Sequence, residues 1–309
     1  MKIAITGASG FIGQELSCAL SDRTDVEIIA LSRNPKAGAA EPDRDGSGPE
    51  VPGSGHIIYR CTDYSVESLC EVLQDASAVV HLAAVRGTAG RISDYSVNET
   101  ITENVLIAAG ECGVKRVIFA SSIAVYSDLA SIPWTEEMCL TPKTLYGITK
   151  AACEYLCLYY GKKYDFDCAI VRIAQVLGTG EKRRVMTNVF MEQAAAGKQL
   201  RVMGRSLARR QYIYSRDLAV ILARLAMEDH GTVIVNAGMK EACSNIDIAR
   251  LTNQAFGSRI PVDYDDSFPE TIEPSCMNTD RLDQLLGYRL LDMEEALTDI
   301  AGRWKSQDE

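Results

Sequence analysis

The sequence has no excess of cations, no long apolar run and no paired-cysteine motif, and each absence argues against a class of function. Lys and Arg total 32 against 42 Asp and Glu over 309 residues, a formal charge of -10. That balance argues against a surface built to hold nucleic-acid phosphates, and any anionic ligand must be held by a few placed cations. No apolar run reaches the roughly 18 residues needed to span a bilayer, so a membrane role has no support. The ten cysteines form no C-x-x-C pair and no cluster with histidine at metal spacing, so no metal is expected. Cys153 and Cys157, one helical turn apart, could form a redox pair or half a metal site, but in a strongly helical stretch they fit buried free thiols. Met1 and Lys2 lead directly into an apolar strand without a signal-peptide h-region. A reduced, cytoplasmic protein is the expectation.

What is present is alternation. Short apolar runs at Lys2 to Thr6, Val26 to Leu31, His56 to Arg60, Ala78 to His81, Val117 to Ala120 and Ala169 to Arg172 are separated by longer helical patterns. This is the signature of stacked βαβ units around a parallel sheet. The expected fold is α/β, a Rossmann-type doubly wound parallel sheet with a smaller C-terminal lobe over its carboxyl edge, where open α/β folds bind ligands. Residues 1–172, with 213–236 returning to them, form the expected larger domain, and 173–212 with 237–309 form the lobe. Helices are expected near Val185 to Ala196, Asp217 to Met227 and Ile246 to Phe256, with a last one ending near Trp304. Asn34 to Gly55, rich in Gly, Pro, Ala and acids and without apolar periodicity, reads as a mobile surface excursion.

Thr6-Gly7-Ala8-Ser9-Gly10-Phe11-Ile12-Gly13 follows the first strand and opens a helix. Glycine permits the tight turn and close backbone approach, and the helix N-terminus offers free N–H groups to a pyrophosphate. A dinucleotide is therefore expected at Gly7, Ser9, Gly10, Phe11, Ile12 and Gly13. The second strand ends Ala30-Leu31-Ser32-Arg33, where an NAD-specific site would place a carboxylate on the ribose 2′-hydroxyl. Ser32 and Arg33 suit a 2′-phosphate better, which leans the cofactor towards NADP over NAD, unless Arg33 is only a solvated surface cation. Tyr146 and Lys150 lie four apart on a predicted helix and so share one face. Ser122 ends a predicted strand at its carboxyl tip and delivers a hydroxyl to the same crevice. A phenol is a poor base at neutral pH, but a neighbouring cation favours its phenolate form.

These elements together, with His81-Leu82-Ala83-Ala84, Asn98, Arg210-Gln211-Tyr212-Ile213-Tyr214 leading to Asp217, and Leu285-Leu286-Gly287-Tyr288, resemble the extended short-chain dehydrogenases/reductases. Within them the resemblance is to the NAD-dependent epimerase/dehydratase group that includes UDP-glucose and UDP-N-acetylglucosamine 4-epimerases. It implies that Tyr146 is the acid/base, Lys150 its tuner and ribose anchor, and Ser122 the group that orients the substrate oxygen. It further implies cofactor contacts at Leu82, Ala83, Ala84 and Asn98, and at Asp63 on the adenine, although Asp63 also fits a plain helix cap. Arg86, Ser122, Gln175 and Arg210 make up the substrate set, with Arg210 on a diphosphate; Arg209 and Arg210 could instead be surface charges. Gln175 stands where relatives often carry Asn, and Glu270 to Ser275 supplies no second phosphate-binding Arg. The implied function is a nucleotide-sugar 4-epimerase acting on a UDP-sugar as a homodimer, through a 4-keto intermediate. The alternatives are an NADP-dependent reductase or dehydrogenase of a sugar or small ketone, and a non-enzymatic nucleotide sensor on the same fold.

Overall fold

The computed structural model describes residues 1–33, 57–87, 89–204, 206–269 and 272–305. The excursion expected from Asn34 to Gly55 lies outside the described residues. In chain order the larger elements are β1 (Lys2–Thr6), α1 (Phe11–Ser21), β2 (Glu27–Ser32), β3 (Ile57–Cys61), α2 (Val66–Leu73), β4 (Ala78–His81), α3 (Val97–Glu111), β5 (Arg116–Ser122), α4 (Leu145–Tyr164) and β6 (Asp167–Ile173). Then come β7 (Gln175–Leu177), α5 (Met186–Ala195), β8 (Arg201–Met203), β9 (Tyr212–Tyr214), α6 (Ser215–Met227), β10 (Val233–Ala237), α7 (Asn245–Phe256), β11 (Asp263–Asp265), α8 (Asp280–Leu286) and α9 (Met293–Lys305).

The chain divides into two compact units. The first comprises Met1–Ser127, Cys139–Arg172 and Leu218–Val235. It is built on a sheet of order β10-β6-β5-β4-β1-β2-β3, with parallel pairing from β5 through β4, β1 and β2 to β3. The chain leaves β1 toward one edge and β4 toward the other, so the doubly wound sheet has its switch point between these two strands. Strands buried on both faces need continuous apolar runs, and Ile3 to Ile5 and Ala78 to Val80 are fully buried. α3 packs between α2 and α4, and a core of Val105, Leu106, Val117, Phe119, Cys153 and Cys157 forms beneath them.

α4 begins at Thr144, whose hydroxyl accepts from the Gly147 amide at 3.0 Å, and ends at Asp165 in the left-handed conformation. Its sequence predicts a helix apolar on more than one side. Cys153, Cys157 and Tyr160 are indeed buried, while Tyr155 and Tyr159 remain more than 60% exposed, at 64% and 62%.

The second unit comprises Asp128–Met138, Ile173–Asp217 and Asn236–Glu309. Here α5, α7 and α9 pack together around Phe190, Met191, Ile248, Leu297 and Ile300, beside the two-stranded pairs β7–β9 and β8–β11. A capping box of Ser244 and Asp247 starts α7, and Gly257 at φ +74° ends it. Among the described residues no helix is long and apolar enough to cross a membrane.

Candidate active site

In the first unit the turn after β1 is shaped by its glycines. Gly7 sits at φ +68°, and a Cβ there would lie 3.0 Å from the Ala83 amide nitrogen. A Cβ on Gly13 would collide with the Gly7 carbonyl and come within 2.7 Å of Ala8 Cα, so α1 can approach the turn only without a side chain at that position. Gly10 is the N-cap of α1, and among the described residues no side chain caps the helix. Its first-turn amides are therefore left to an anion. Thr6 Oγ1 accepts from the amides of both Leu82 and Ala83, at 3.1 and 3.2 Å, and so ties the end of β1 to the Leu82–Ala84 segment. Thr6 Oγ1 also lies 2.7 Å from His81 Nδ1, whose Nε2 lies 3.0 Å from Thr102 Oγ1.

Ser9 and Ser32 bring their hydroxyls to 3.5 Å, and Arg33 is exposed at the tip of β2. Asp63 accepts from the Ser65 amide at 2.8 Å, and that bond holds its carboxyl below the usual range. The cap of α2 is Ser65, so Asp63 shapes the turn before the helix and does not cap it. Asn98 is buried: its Oδ1 accepts from the Val85 amide at 2.7 Å, and its Nδ2 donates to the Val85 carbonyl and to Thr149 Oγ1. Its amide thus clamps the segment that carries Leu82, Ala83, Ala84 and Arg86.

The hydroxyl, phenol and ammonium of Ser122, Tyr146 and Lys150 come from adjoining elements of this unit. Ser122 ends β5, and its Oγ accepts from the Ala124 amide at 3.2 Å. Lys150 is buried, donates to the Ala120 carbonyl at 2.6 Å, and lies 4.6 Å from the Phe119 ring centre and 5.8 Å from that of Tyr146. Burial pushes its ammonium down to about 8; Glu154 works against that displacement and Arg86 adds to it. A cation that is costly to keep charged is one that favours a nearby anion, here the phenolate form of Tyr146.

The second unit holds a cavity of about 560 Å³. Met186, Val189, Phe190, Met203 and Phe268 supply apolar wall, and Arg201, Ser206, Arg210 and Asn245 supply polar wall. Arg210 Nη2 donates to Asn245 Oδ1 at 2.9 Å and to the Tyr212 hydroxyl at 3.1 Å, while its buried Nε has no hydrogen-bond partner among the described residues. Gln175 pairs in register with Tyr212 on the neighbouring strand, but it does not line this cavity.

A model described as the NAD dependent epimerase/dehydratase family matches residues 3–238. The chain belongs to this family. A UDP-glucose 4-epimerase of Azospirillum brasilense is 26% identical over 314 residues, spanning 93% of this chain and 86% of its own length. The solved UDP-N-acetylglucosamine 4-epimerase from Bacillus cereus superposes with a TM-score of 0.87 at 30% identity over 99% of each chain. A UDP-glucuronic acid 4-epimerase from Bacillus cereus, solved in complex with NAD, shares the fold with a TM-score of 0.81 at 22% identity over 100% of both chains.

Several residues that shape the candidate site escape sequence reasoning. Tyr64, buried beside Asp63, accepts from the Gly7 amide at 3.3 Å. A Cβ on Gly147 would collide with the Ala124 carbonyl, so α4 can lie on the turn after Ser122 only because glycine follows Tyr146. Arg201, on β8, lines the cavity with Arg210 although Glu270 to Ser275 contains no Arg; it is ion-paired to Asp263 at 3.5 Å and to Asp265. Nothing in the sequence distinguishes Arg201 from an ordinary strand-edge cation. The family match stops before Asn245, Phe268 and Ile272, so that part of the cavity wall is particular to the later chain.

Proposed function

We propose that the protein is a nucleotide-sugar 4-epimerase that works through a transient 4-keto sugar. The observation that carries this reading is Arg210, whose buried Nε finds no acceptor among the described residues at the wall of an otherwise largely apolar cavity. In a chain of charge -10 a diphosphate supplies that acceptor, while the walls suit a base and ribose.

The residues fit a nicotinamide dinucleotide. Gly7, Ser9, Gly10, Phe11, Ile12 and Gly13 leave an uncapped helix end for its pyrophosphate, and Leu82, Ala83 and Ala84, clamped by Asn98, border the same turn. Bound there, the cofactor supplies a hydride acceptor that becomes the donor for the return step. Tyr146 takes the proton from the sugar 4-hydroxyl and gives it back after the ketone has turned its other face. Lys150 favours the phenolate, Ser122 orients the reacting oxygen, and Arg86 and Gln175 complete the substrate set.

UDP-glucose and UDP-N-acetylglucosamine should bind the wild type, and Arg210→Ala should weaken that binding by about one to two decades, the scale of charge-assisted bonds to a diphosphate. Cofactor affinity should stay unchanged. If neither sugar nucleotide binds at millimolar concentration in a calorimetric titration, the reductase reading replaces this one.

For the dinucleotide, the reading is that NADP(H) is accepted at least as well as NAD(H). Ser32 and Arg33 stand at the tip of β2, and the Arg33 charge reaches Tyr64 beside Gly7. Arg33→Ala should narrow or reverse the difference, whereas a clear NAD preference in the wild type, measured by calorimetry, refutes the reading.

A homodimer is supported by Tyr155, Tyr159, Leu158 and Ile148, exposed along α4. Light scattering at micromolar concentration should give twice 33.8 kDa, and a monomer mass counts against it. The ten cysteines, all free thiols, suit a reducing cytoplasm.

A further inference from the structure

Glu154 follows Lys150 by four residues on α4, one helical turn along the same face, and its carboxylate is buried. It accepts from the hydroxyl of Ser121, the residue before Ser122 at the tip of β5. It also accepts from Arg172 near the end of β6, whose Nε reaches both carboxylate oxygens at 3.1 Å and whose Nη2 reaches one at 2.8 Å. Both side chains are only 3% exposed. The remaining Arg172 nitrogen, Nη1, donates to the Tyr126 hydroxyl at 2.6 Å, and the guanidinium lies 5.1 Å from the centre of that ring. One carboxylate therefore joins the helix carrying Tyr146 and Lys150, the strand tip carrying Ser122, and β6. Apolar packing could tie three elements together without the desolvation cost of a buried ion pair. The placement beside Lys150 is what distinguishes this pair from a structural tie.

We propose that Glu154 and Arg172 are paired positioning residues for Tyr146 and Lys150, fixing α4 against the tip of β5 while each charge offsets the other in the field at the reacting phenol. The inference rests on the reading of Tyr146 as the acid/base.

Among the described residues, groups that face Lys150 come from α4, β5, β4 and the segment after β4. From α4 they are Tyr146, Cys153, Glu154 and Cys157; from β5, the Phe119 ring and the Ala120 carbonyl; from β4, His81; and from the segment after β4, Arg86. Glu99, on α3, faces Cys153, and Arg172 stands behind Glu154. Burial pushes His81 down to about 3 and the thiols of Cys153 and Cys157 up, which leaves all three neutral at pH 7. Among the charged groups that face Lys150, Glu154 is then opposed by Arg86, and Glu154 is itself paired with Arg172.

The test is the ionisation of Tyr146 in the holoenzyme, taken as the ultraviolet difference titration between each protein and its Tyr146→Phe counterpart, together with the pH profile of turnover on UDP-glucose and UDP-N-acetylglucosamine. Glu154→Gln keeps the volume and an acceptor for Ser121 but leaves Arg172 uncompensated. The phenol titration and both limbs of the profile should move to lower pH by about one unit. Arg172→Gln leaves the carboxylate uncompensated and should move them to higher pH by a similar amount. The double variant should titrate near the wild type with turnover reduced. If one single variant does not fold, the sign of the other's displacement decides. Titrations that stay at the wild-type position in the single variants, or move in the same direction in both, overturn the pairing. Retained turnover in Tyr146→Phe overturns the acid/base reading instead, whatever the titrations show.

Discussion

Tyr146→Phe should lower turnover by about a hundred-fold or more, the usual scale for losing a general acid/base, while nucleotide affinity and fold stay near the wild type. The change removes one oxygen from a half-buried ring in the first turn of α4. The seat of that turn is provided by other groups: the Thr144 cap, the close fit of Gly147 on the turn after β5, and the Lys150 bond to the Ala120 carbonyl. A loss confined to kcat, with an unchanged melting curve, would therefore be chemical in origin. Near-normal turnover would sink the assignment of Tyr146.

Lys150→Met should remove activity and, in the cofactor-free protein at pH 7, raise stability by about 2 kcal/mol. Burial is the larger cause of the fall in the Lys150 ammonium from 10.5 to about 8. Its folded value thus lies below its unfolded one, and the unfolded chain binds the proton more tightly. Keeping the charge in the fold costs about 3 kcal/mol, in full force below pH 8 and fading as pH climbs toward 10.5. Methionine has nearly the same length and no charge, but it leaves the Ala120 carbonyl without this donor, a loss of about 1 kcal/mol. Denaturant melts at neutral pH and at pH 10.5 should show the gain at the first and its disappearance at the second. A variant less stable than wild type at pH 7 would mean that its ammonium is better compensated than its burial implies.

The doubly wound sheet was legible because its central strands, β1 and β4 among them, are buried on both faces and therefore announce themselves as short apolar runs, while the edge strand β3 is largely exposed. Those at β1 and β4 match the sequence reading residue for residue, and β2 and β3 are displaced by one residue. The three-residue strands β7, β8, β9 and β11 carry too few positions for a period to be counted, and the passage of Asp128–Met138 into the second unit leaves no mark in local composition. Tyr146 and Lys150 share a helix face by spacing alone, and Glu154 lies one turn further along it. What spacing cannot convey is that Arg172, eighteen residues later, reaches back to that carboxylate, since the contact depends on how α4 is laid against β6. The need for glycine at position 147 is likewise invisible until the Ala124 carbonyl is seen beneath it.

The bonds around Thr6 also decide where one hydrogen atom resides. Two backbone amides, those of Leu82 and Ala83, already donate to Thr6 Oγ1, so the hydroxyl's own proton is left for the imidazole nitrogen 2.7 Å away, Nδ1 of His81. That nitrogen must then be the bare one, and His81 is the Nε2–H tautomer, donating onward to Thr102. With burial pushing its protonation down to about 3, this ring passes through the neutral range as a one-way relay of fixed polarity. An imidazole resonance experiment should therefore find no titration of His81 near neutrality.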